Sequence, residues 1–190
     1  MKTPSAPRVR RSCSMASTPP PSPGPPEFEL SIAIEAPAAR VMQAFFSHRD
    51  LAYWWQIERS VAVARPSGPF AVTWPPGADR DELLGPLGGT LHGTVMDYTP
   101  DRALFVADLY WQPQAGEPLG PMALEITCRP EHDPASTTVT VRQSASDDGP
   151  RWQRYFALTR QGWTEALATL KDYLENEWLY RVRSIKDTRP

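Results

Sequence analysis

The residues that could carry out chemistry are widely separated in this sequence. His48, His92 and His132 lie on different segments, whereas zinc sites usually take pairs of His or Cys ligands a few residues apart. Cys128 lies in an alternating apolar run, where a cysteine packs as a small hydrophobic residue. The sequence therefore predicts no metal site, no bound cofactor and no catalytic residue.

The sequence contains neither a complete phosphate-binding loop nor a serine nucleophile motif. The glycine-rich run at 85–89 lacks the Lys-Ser/Thr pair of a phosphate-binding loop and does not open a predicted helix. A Gly-x-Ser-x-Gly nucleophile motif does not occur in the sequence. We interpret the run at 85–89 as a flexible rim, and we expect a binding protein rather than an enzyme.

Tryptophan is the strongest remaining signal, with 7 in 190 residues. Sites for small molecules are concave, mostly apolar and supplied with a few polar groups. Indole rings and adaptable methionines suit the walls of such a site, and Asp108, His92, Gln143 and Arg142 are candidates for its polar groups. The predicted ligand contacts are Trp54, Trp55, Trp74, His92, Met96, Asp108, Met122, Leu124, Gln143, Trp152 and Phe156. Alternatively, Phe156, Trp163 and Leu167 fill the core, and we favour that role for Trp163.

The elements that must position these residues follow from hydrophobic periodicity. Alternation from Phe28 to Ile34 predicts a strand, and Pro37 then opens a helix ending near Ser47. A second short helix is expected at 49–55. Apolar spacing predicts a long helix from Trp152 to Leu174. Further strands are predicted at 60–64, 69–74, 90–98, 103–111, 122–129 and 137–144, with a long loop at 75–89.

The first 26 residues differ in composition from the rest. They hold eight of the 22 prolines and four basic residues without an acid, so we predict a disordered tail at 1–26. The remainder is acidic, because the whole chain has a net charge of −2, and this disfavours nucleic-acid binding. No apolar run is long enough to span a membrane. With Cys13 in the tail we expect no disulfide, and we predict a cytoplasmic protein.

Four segments of the chain resemble a known family. They are FELSIAIEAPAARVMQAF, DLAYWW, GGTLHGTVMDYTPDRALF and GWTEALATLKDYLE. They resemble the START-like, helix-grip (SRPBCC) superfamily, in the branch of the C-terminal domain of the heat-shock protein 90 ATPase activator. The resemblance implies an α+β fold in which a curved antiparallel sheet of about six or seven strands wraps around the C-terminal helix, with two short helices after the first strand. The resemblance spans about Phe28 to Glu175, and we place the domain at 27–177, followed by an extension at 178–190.

The chain departs from the family pattern at one strand. The family commonly has Leu-x-x-x-Trp there, whereas this sequence has Leu104 followed by Asp108. Strand alternation places Leu104, Val106 and Asp108 on one face, and a buried carboxylate is costly unless it is paired or protonated. The opposite face, with Leu109 and Trp111, is equally apolar, so periodicity leaves the orientation of Asp108 open.

Three functions compete at this point. The first is binding of a small hydrophobic or amphipathic ligand between the sheet and the C-terminal helix. The second, implied by the resemblance, is a chaperone-associated or stress-response regulator. The third is a cyclase- or hydrolase-like enzyme using Asp108 or His92 as a general base. A homodimer contact through Trp178 is an additional possibility, although packing of this side chain on the core is preferred.

Overall fold

The computed structural model describes residues 24–77, 79–133 and 135–177. The predicted extension at 178–190 and nearly all of the predicted tail lie outside the described residues. The helices are α1 (Ala38–Ala44), α2 (His48–Trp54) and α3 (Pro150–Glu175). The strands are β1 (Glu27–Ile34), β2 (Arg59–Ala62), β3 (Pro69–Trp74), β4 (Arg80–Asp81), β5 (Gly85–Pro86), β6 (Gly89–Thr99), β7 (Ala103–Gln112), β8 (Leu119–Pro130) and β9 (Thr137–Ala145).

Seven of these strands form one antiparallel sheet in the order β1-β9-β8-β7-β6-β3-β2. Helix α3 packs on its inner face and lies closest to β1 and α2. The predicted α+β, helix-grip fold is therefore confirmed, including the two short helices after the first strand. One difference is that the predicted loop at 75–89 contains a small hairpin, β4 paired with β5, whose connecting residues include the buried Leu84.

Helix α3 forms because its sequence combines a favourable start with one continuous apolar face. Pro150 occupies the first turn, where its missing N–H costs nothing. Buried residues then recur at helical spacing and give the helix one inward-facing side. They are Trp152, Tyr155, Phe156, Trp163, Ala166, Leu167, Leu170, Tyr173 and Leu174.

A group of polar residues joins the C-terminal end of α3 to α1 and α2. The buried Asp50 carboxylate accepts hydrogen bonds from Arg40 Nη1 at 2.8 Å and from the Tyr173 hydroxyl at 2.7 Å. Arg40 Nε also donates to Glu177 at 3.0 Å, and its guanidinium lies 5.8 Å from the centre of the Tyr173 ring. We refer to Arg40, Asp50, Tyr173 and Glu177 as the polar clamp. It ties three helices together at one end of the core.

Strand β7 contains a bulge at Asp108. Val106 lies opposite Leu124 and Leu109 lies opposite Met122, so β7 has one more residue than β8 over this stretch. Asp108 is the extra residue and has a φ of 48°, a left-handed conformation that Asp adopts more readily than most residues. The bulge reverses the alternation, because Leu104 and Val106 face the core before it whereas Leu109 and Trp111 do so after it.

Gly93 on β6 makes room for this bulge. A Cβ atom at this position would lie 2.8 Å from the carbonyl oxygen of Ala107 and 3.1 Å from Cα of Leu109. Both atoms belong to the β7 backbone, so they could not move aside without disturbing the strand. Gly93 thus allows the two strands to approach where β7 bulges.

Candidate functional site

A cavity of about 500 Å³ lies between α3 and strands β3, β6 and β7. Segment 75–89 covers part of it, because Leu84, Leu87 and Gly88 contribute to its wall. Six residues of the remaining wall are aromatic. The aromatic residues are Trp54, Trp55, Trp74, Trp111, Tyr155 and Trp163.

Four of these indole rings form a cluster centred on Trp55. Its ring centre lies 5.1 Å from that of Trp54 in a parallel stack and 4.6 Å from that of Trp163. Trp74 meets Trp55 edge to face at 5.2 Å. Aromatic pairs with these geometries stabilise one another beyond the area that they bury. The cluster therefore forms an ordered wall for the cavity.

Four of the five tryptophans of the wall, Trp54, Trp74, Trp111 and Trp163, donate their indole N–H groups within the protein. Trp54 donates to the carbonyl of Ala44, and Trp74 donates to the carbonyl of Trp55, each at 3.0 Å. Trp111 donates to the carbonyl of Gly88 at 2.7 Å, which holds segment 75–89 against the sheet. These three bonds fix the ring orientations without demanding a polar partner from a ligand.

Gln143 on β9 anchors the wall from the core side. Its side chain is fully buried, accepts a hydrogen bond from Trp163 Nε1 at 3.2 Å and donates to Met122 Sδ at 3.4 Å. The Tyr155 hydroxyl interacts with the side chains of Gln143 and Thr159. Burial raises the pKa of Tyr155 to about 12 although these two bonds act in the opposite direction, so its phenol stays protonated at neutral pH.

The mouth of the cavity is more polar than its interior. Gln56, Asp79 and Glu165 are exposed residues that contribute to the lining, and Thr159 is half-buried. Asp81, two residues after Asp79, has its carboxylate ion-paired with Arg154 of α3 at 2.7 Å. This pair links segment 75–89 to α3.

The structure brings only part of the predicted contact set together. Trp54, Trp55 and Trp74 line the cavity. A second group lies in the adjoining core, buried but outside the cavity lining. This group comprises Met122, Leu124, Gln143, Trp152 and Phe156.

His92, Met96 and Asp108 lie on the outer face of the sheet, contrary to the prediction that they line the cavity. Met96 is 54% exposed and His92 is exposed with its ring stacked on Tyr110. Asp108 is exposed because the bulge turns its side chain to solvent. Arg142 is also external and pairs with Glu27. A general base at Asp108 or His92 would therefore be on the wrong side of the sheet for chemistry in the cavity.

Sequence reasoning missed several residues of the wall. Strand alternation puts Trp111 on the face opposite Leu104, and only the bulge brings both residues to the inner face. Tyr155 and Phe156 are adjacent in α3, and helical spacing alone does not decide which of the two faces inward. Trp163, expected as core, is 3% exposed and also lines the cavity, so core packing and cavity lining coincide at this residue.

The remaining sites predicted from single residues can be placed as well. Cys128 is buried as predicted, and burial raises the pKa of its thiol to about 12. Among the described residues, no group of three or more His, Cys, Asp or Glu side chains could hold a metal ion. No described helix is long and apolar enough to cross a membrane.

A curved antiparallel sheet around a long helix, with an aromatic cavity between them, defines a START-like, helix-grip protein. The sequence identifies the branch. Residues 35–175, more than half of the chain, match the family described as Activator of Hsp90 ATPase homolog 1-like protein. The chain therefore belongs to this family.

Solved structures share the fold at low sequence identity. Protein Ms6760 from Mycobacterium smegmatis is 16% identical, with a TM-score of 0.61 over 78% of this chain and 90% of its own. Protein CV1439 from Chromobacterium violaceum is 20% identical, with a TM-score of 0.57 over 80% and 99%. The Aha1 dimer from Colwellia psychrerythraea is 15% identical, with a TM-score of 0.58 over 79% and 96%. Comparison with curated proteins gives no significant match.

Proposed function

We propose that this protein binds a small hydrophobic or amphipathic molecule in the cavity between α3 and the sheet. The observation that carries the proposal is the cavity itself, about 500 Å³ in volume and walled by six aromatic side chains. Ligand sites of proteins span roughly 300–1,000 Å³ and are mostly apolar. The cavity thus has the size and the surface of a small-molecule site.

The hydrogen bonding of the wall favours an apolar ligand body. The indole N–H groups of Trp54, Trp74 and Trp111 already donate to backbone carbonyls. No buried side-chain nitrogen or oxygen of the described residues lacks a partner. A polar ligand body would lose its hydration in the interior and would gain few hydrogen bonds there, whereas an apolar body would gain contacts with the rings.

Gly162 offers a direct test, because it lies in the middle of α3 and lines the cavity. A Cβ atom at this position would have no neighbour within 4 Å. Gly162→Phe should therefore fold normally and fill cavity space, while the matched control Gly162→Ala should leave the space open. Removing glycine from a helix interior should also stabilise the control by roughly 0.5–1 kcal/mol.

The neutral fluorescent probe N-phenyl-1-naphthylamine measures occupancy of the cavity. We expect the wild type and Gly162→Ala to bind it and to melt at a higher temperature in its presence. Gly162→Phe should lose at least roughly tenfold in affinity while its own melting temperature is maintained. Equal probe binding by all three proteins would contradict the proposal, because the probe would then occupy another surface.

A second candidate is a role beside a chaperone, which the family match favours. Immobilised protein should then retain purified Hsp90 and change its rate of ATP hydrolysis, and the absence of both effects would exclude this role. The Colwellia relative is a dimer, so sedimentation of this chain should show a concentration-dependent dimer if it assembles likewise. A cytoplasmic location remains a prediction.

A further inference from the structure

The charges at the mouth of the cavity have one sign. Among the described lining residues, Asp79 and Glu165 are charged, and none is Lys, Arg or His. Arg80 follows Asp79 in the chain but does not contribute to the lining. The charged side chains that line the opening are therefore both carboxylates.

Within the described ranges, neither of these two carboxylates is paired with a cation, unlike Asp81 and Glu175. Asp81 is paired with Arg154 at 2.7 Å, and Glu175 is paired with Lys171 at the same distance. In the part of the chain that the structure describes, neither Asp79 nor Glu165 has a basic group within 4 Å. Glu165 accepts one neutral hydrogen bond, from Gln161 Nε2 at 3.0 Å. Both charges are thus available to a ligand at the mouth.

The aromatic wall favours the same sign of charge. An indole face carries negative electrostatic potential and attracts ammonium groups, and tryptophan is the strongest of the aromatic side chains in this respect. Trp55, Trp74 and Trp163 line the cavity that Asp79 and Glu165 border. A cationic group that reaches an indole face would therefore be favoured over an anionic one, in the same direction as beside the carboxylates at the mouth.

We propose that the ligand is an organic cation, in which an amine or quaternary ammonium group is joined to an apolar body. The apolar body occupies the cavity and the cationic head lies at the mouth beside Asp79 and Glu165. This inference rests on the proposed function, since it requires the cavity to be a binding site. It adds the charge of the ligand, which aromatic lining alone does not define.

Three probes with one apolar body and different heads separate the two proposals. They are octyltrimethylammonium, octyl sulfate and 1-octanol, each titrated below its aggregation concentration by isothermal calorimetry. We expect octyltrimethylammonium to bind at least roughly tenfold more tightly than octyl sulfate, with 1-octanol between them. Added salt should reduce this difference in affinity, because salt screens the interaction between a solvent-exposed head group and the carboxylates.

A double variant at the mouth tests the assigned carboxylates. Asp79→Asn with Glu165→Gln should remove most of the preference for the cation and leave the affinity for 1-octanol unchanged. The control, Glu29→Gln with Glu125→Gln, makes the same change in net charge at exposed positions on the outer face of the sheet. We expect the control to keep the wild-type order of the three probes.

Each outcome bears on a different proposal. If 1-octanol binds and Gly162→Phe blocks it, but the cation is not preferred, the inference on charge is wrong and the proposed function stands. If none of the three probes binds the wild type, the proposed function fails and the inference fails with it. Loss of the preference in the outer-face control would attribute it to overall charge and would also overturn the assignment of Asp79 and Glu165.

Discussion

The polar clamp and the aromatic cavity both involve α3, but the polar atoms of their aromatic side chains have different partners. In the clamp, Tyr173 directs its hydroxyl to Asp50, and the polar groups of three helices meet one another. In the cavity wall, the N–H groups of Trp74 and Trp111 point to backbone carbonyls, so the rings present apolar surface to open space. The clamp thus closes the fold, and the wall keeps a space available. Stability and binding should therefore respond to different substitutions.

The largest expected difference is in the stability that is lost when a leucine of each region is replaced by alanine. Leu170 is fully buried near the clamp, whereas Leu158 is half-buried and lines the cavity. Leu170→Ala should lower the free energy of unfolding by about 3 kcal/mol, because it removes van der Waals contacts and leaves a cavity in the core. Leu158→Ala should cost only about 1 kcal/mol, since part of its surface already faces open space. Urea denaturation measures both, and equal losses would contradict the contrast.

A smaller effect is expected when a carboxylate is neutralised in each region. Asp50→Asn should reduce stability by about 2 kcal/mol, because Arg40 and Tyr173 each lose a charged hydrogen-bond partner. Arg40 keeps Glu177, which limits the loss. The matched change Asp79→Asn at the mouth of the cavity should stay within about 0.5 kcal/mol. A comparable loss in both variants would show that segment 75–89 also holds the fold together.

The smallest effect is a change in tyrosine titration. Burial, reinforced by the hydrogen bond to Asp50, raises the pKa of Tyr173 to about 12, and burial alone accounts for the similar pKa of Tyr155. Asp50→Asn should lower the pKa of Tyr173 and leave that of Tyr155 unchanged. Ultraviolet titration of the phenolates, with Tyr173→Phe and Tyr155→Phe for assignment, measures this. A shift at Tyr155 instead would show that the two regions are coupled.

The sign of the associated pH dependence follows from the raised pKa values. A tyrosine that ionises at a higher pH in the folded protein contributes stability that is complete below its ordinary pKa of about 10. This contribution is lost as the pH rises through the folded value of about 12. Asp50→Asn should therefore make the alkaline loss of stability less steep.

Much of the fold could be predicted because local patterns and global packing agree. The long helix from Trp152 to Leu174 was found within α3 by its apolar spacing, and the strands followed from alternation. The polar clamp was missed. Asp50 is the third residue of α2, where an acid ordinarily stabilises the helix start from an exposed position, and nothing local indicates that Arg40 and Tyr173 enclose it.

The candidate site was less predictable than the fold. Residue type alone suggests Trp54, Trp55 and Trp74 for the cavity, and all three lie in its wall. His92 and Met96 were misplaced because both faces of β6 carry side chains that could pack inward. The mouth depends on segment 75–89, where an irregular backbone gives no periodicity from which to assign Asp79.

The bulge in β7 has a consequence for how this strand tolerates evolutionary change. Side chains alternate between the two faces of the sheet on both sides of Asp108. At Asp108 this alternation shifts by one residue. Losing that residue would turn Leu109 and Trp111 to solvent, so we expect a deletion there to be more disruptive than a substitution of Asp108 that keeps the length. Relatives with an uninterrupted strand should differ from this chain by a one-residue gap at 108, and aligning them without the gap would assign every later side chain of β7 to the wrong face.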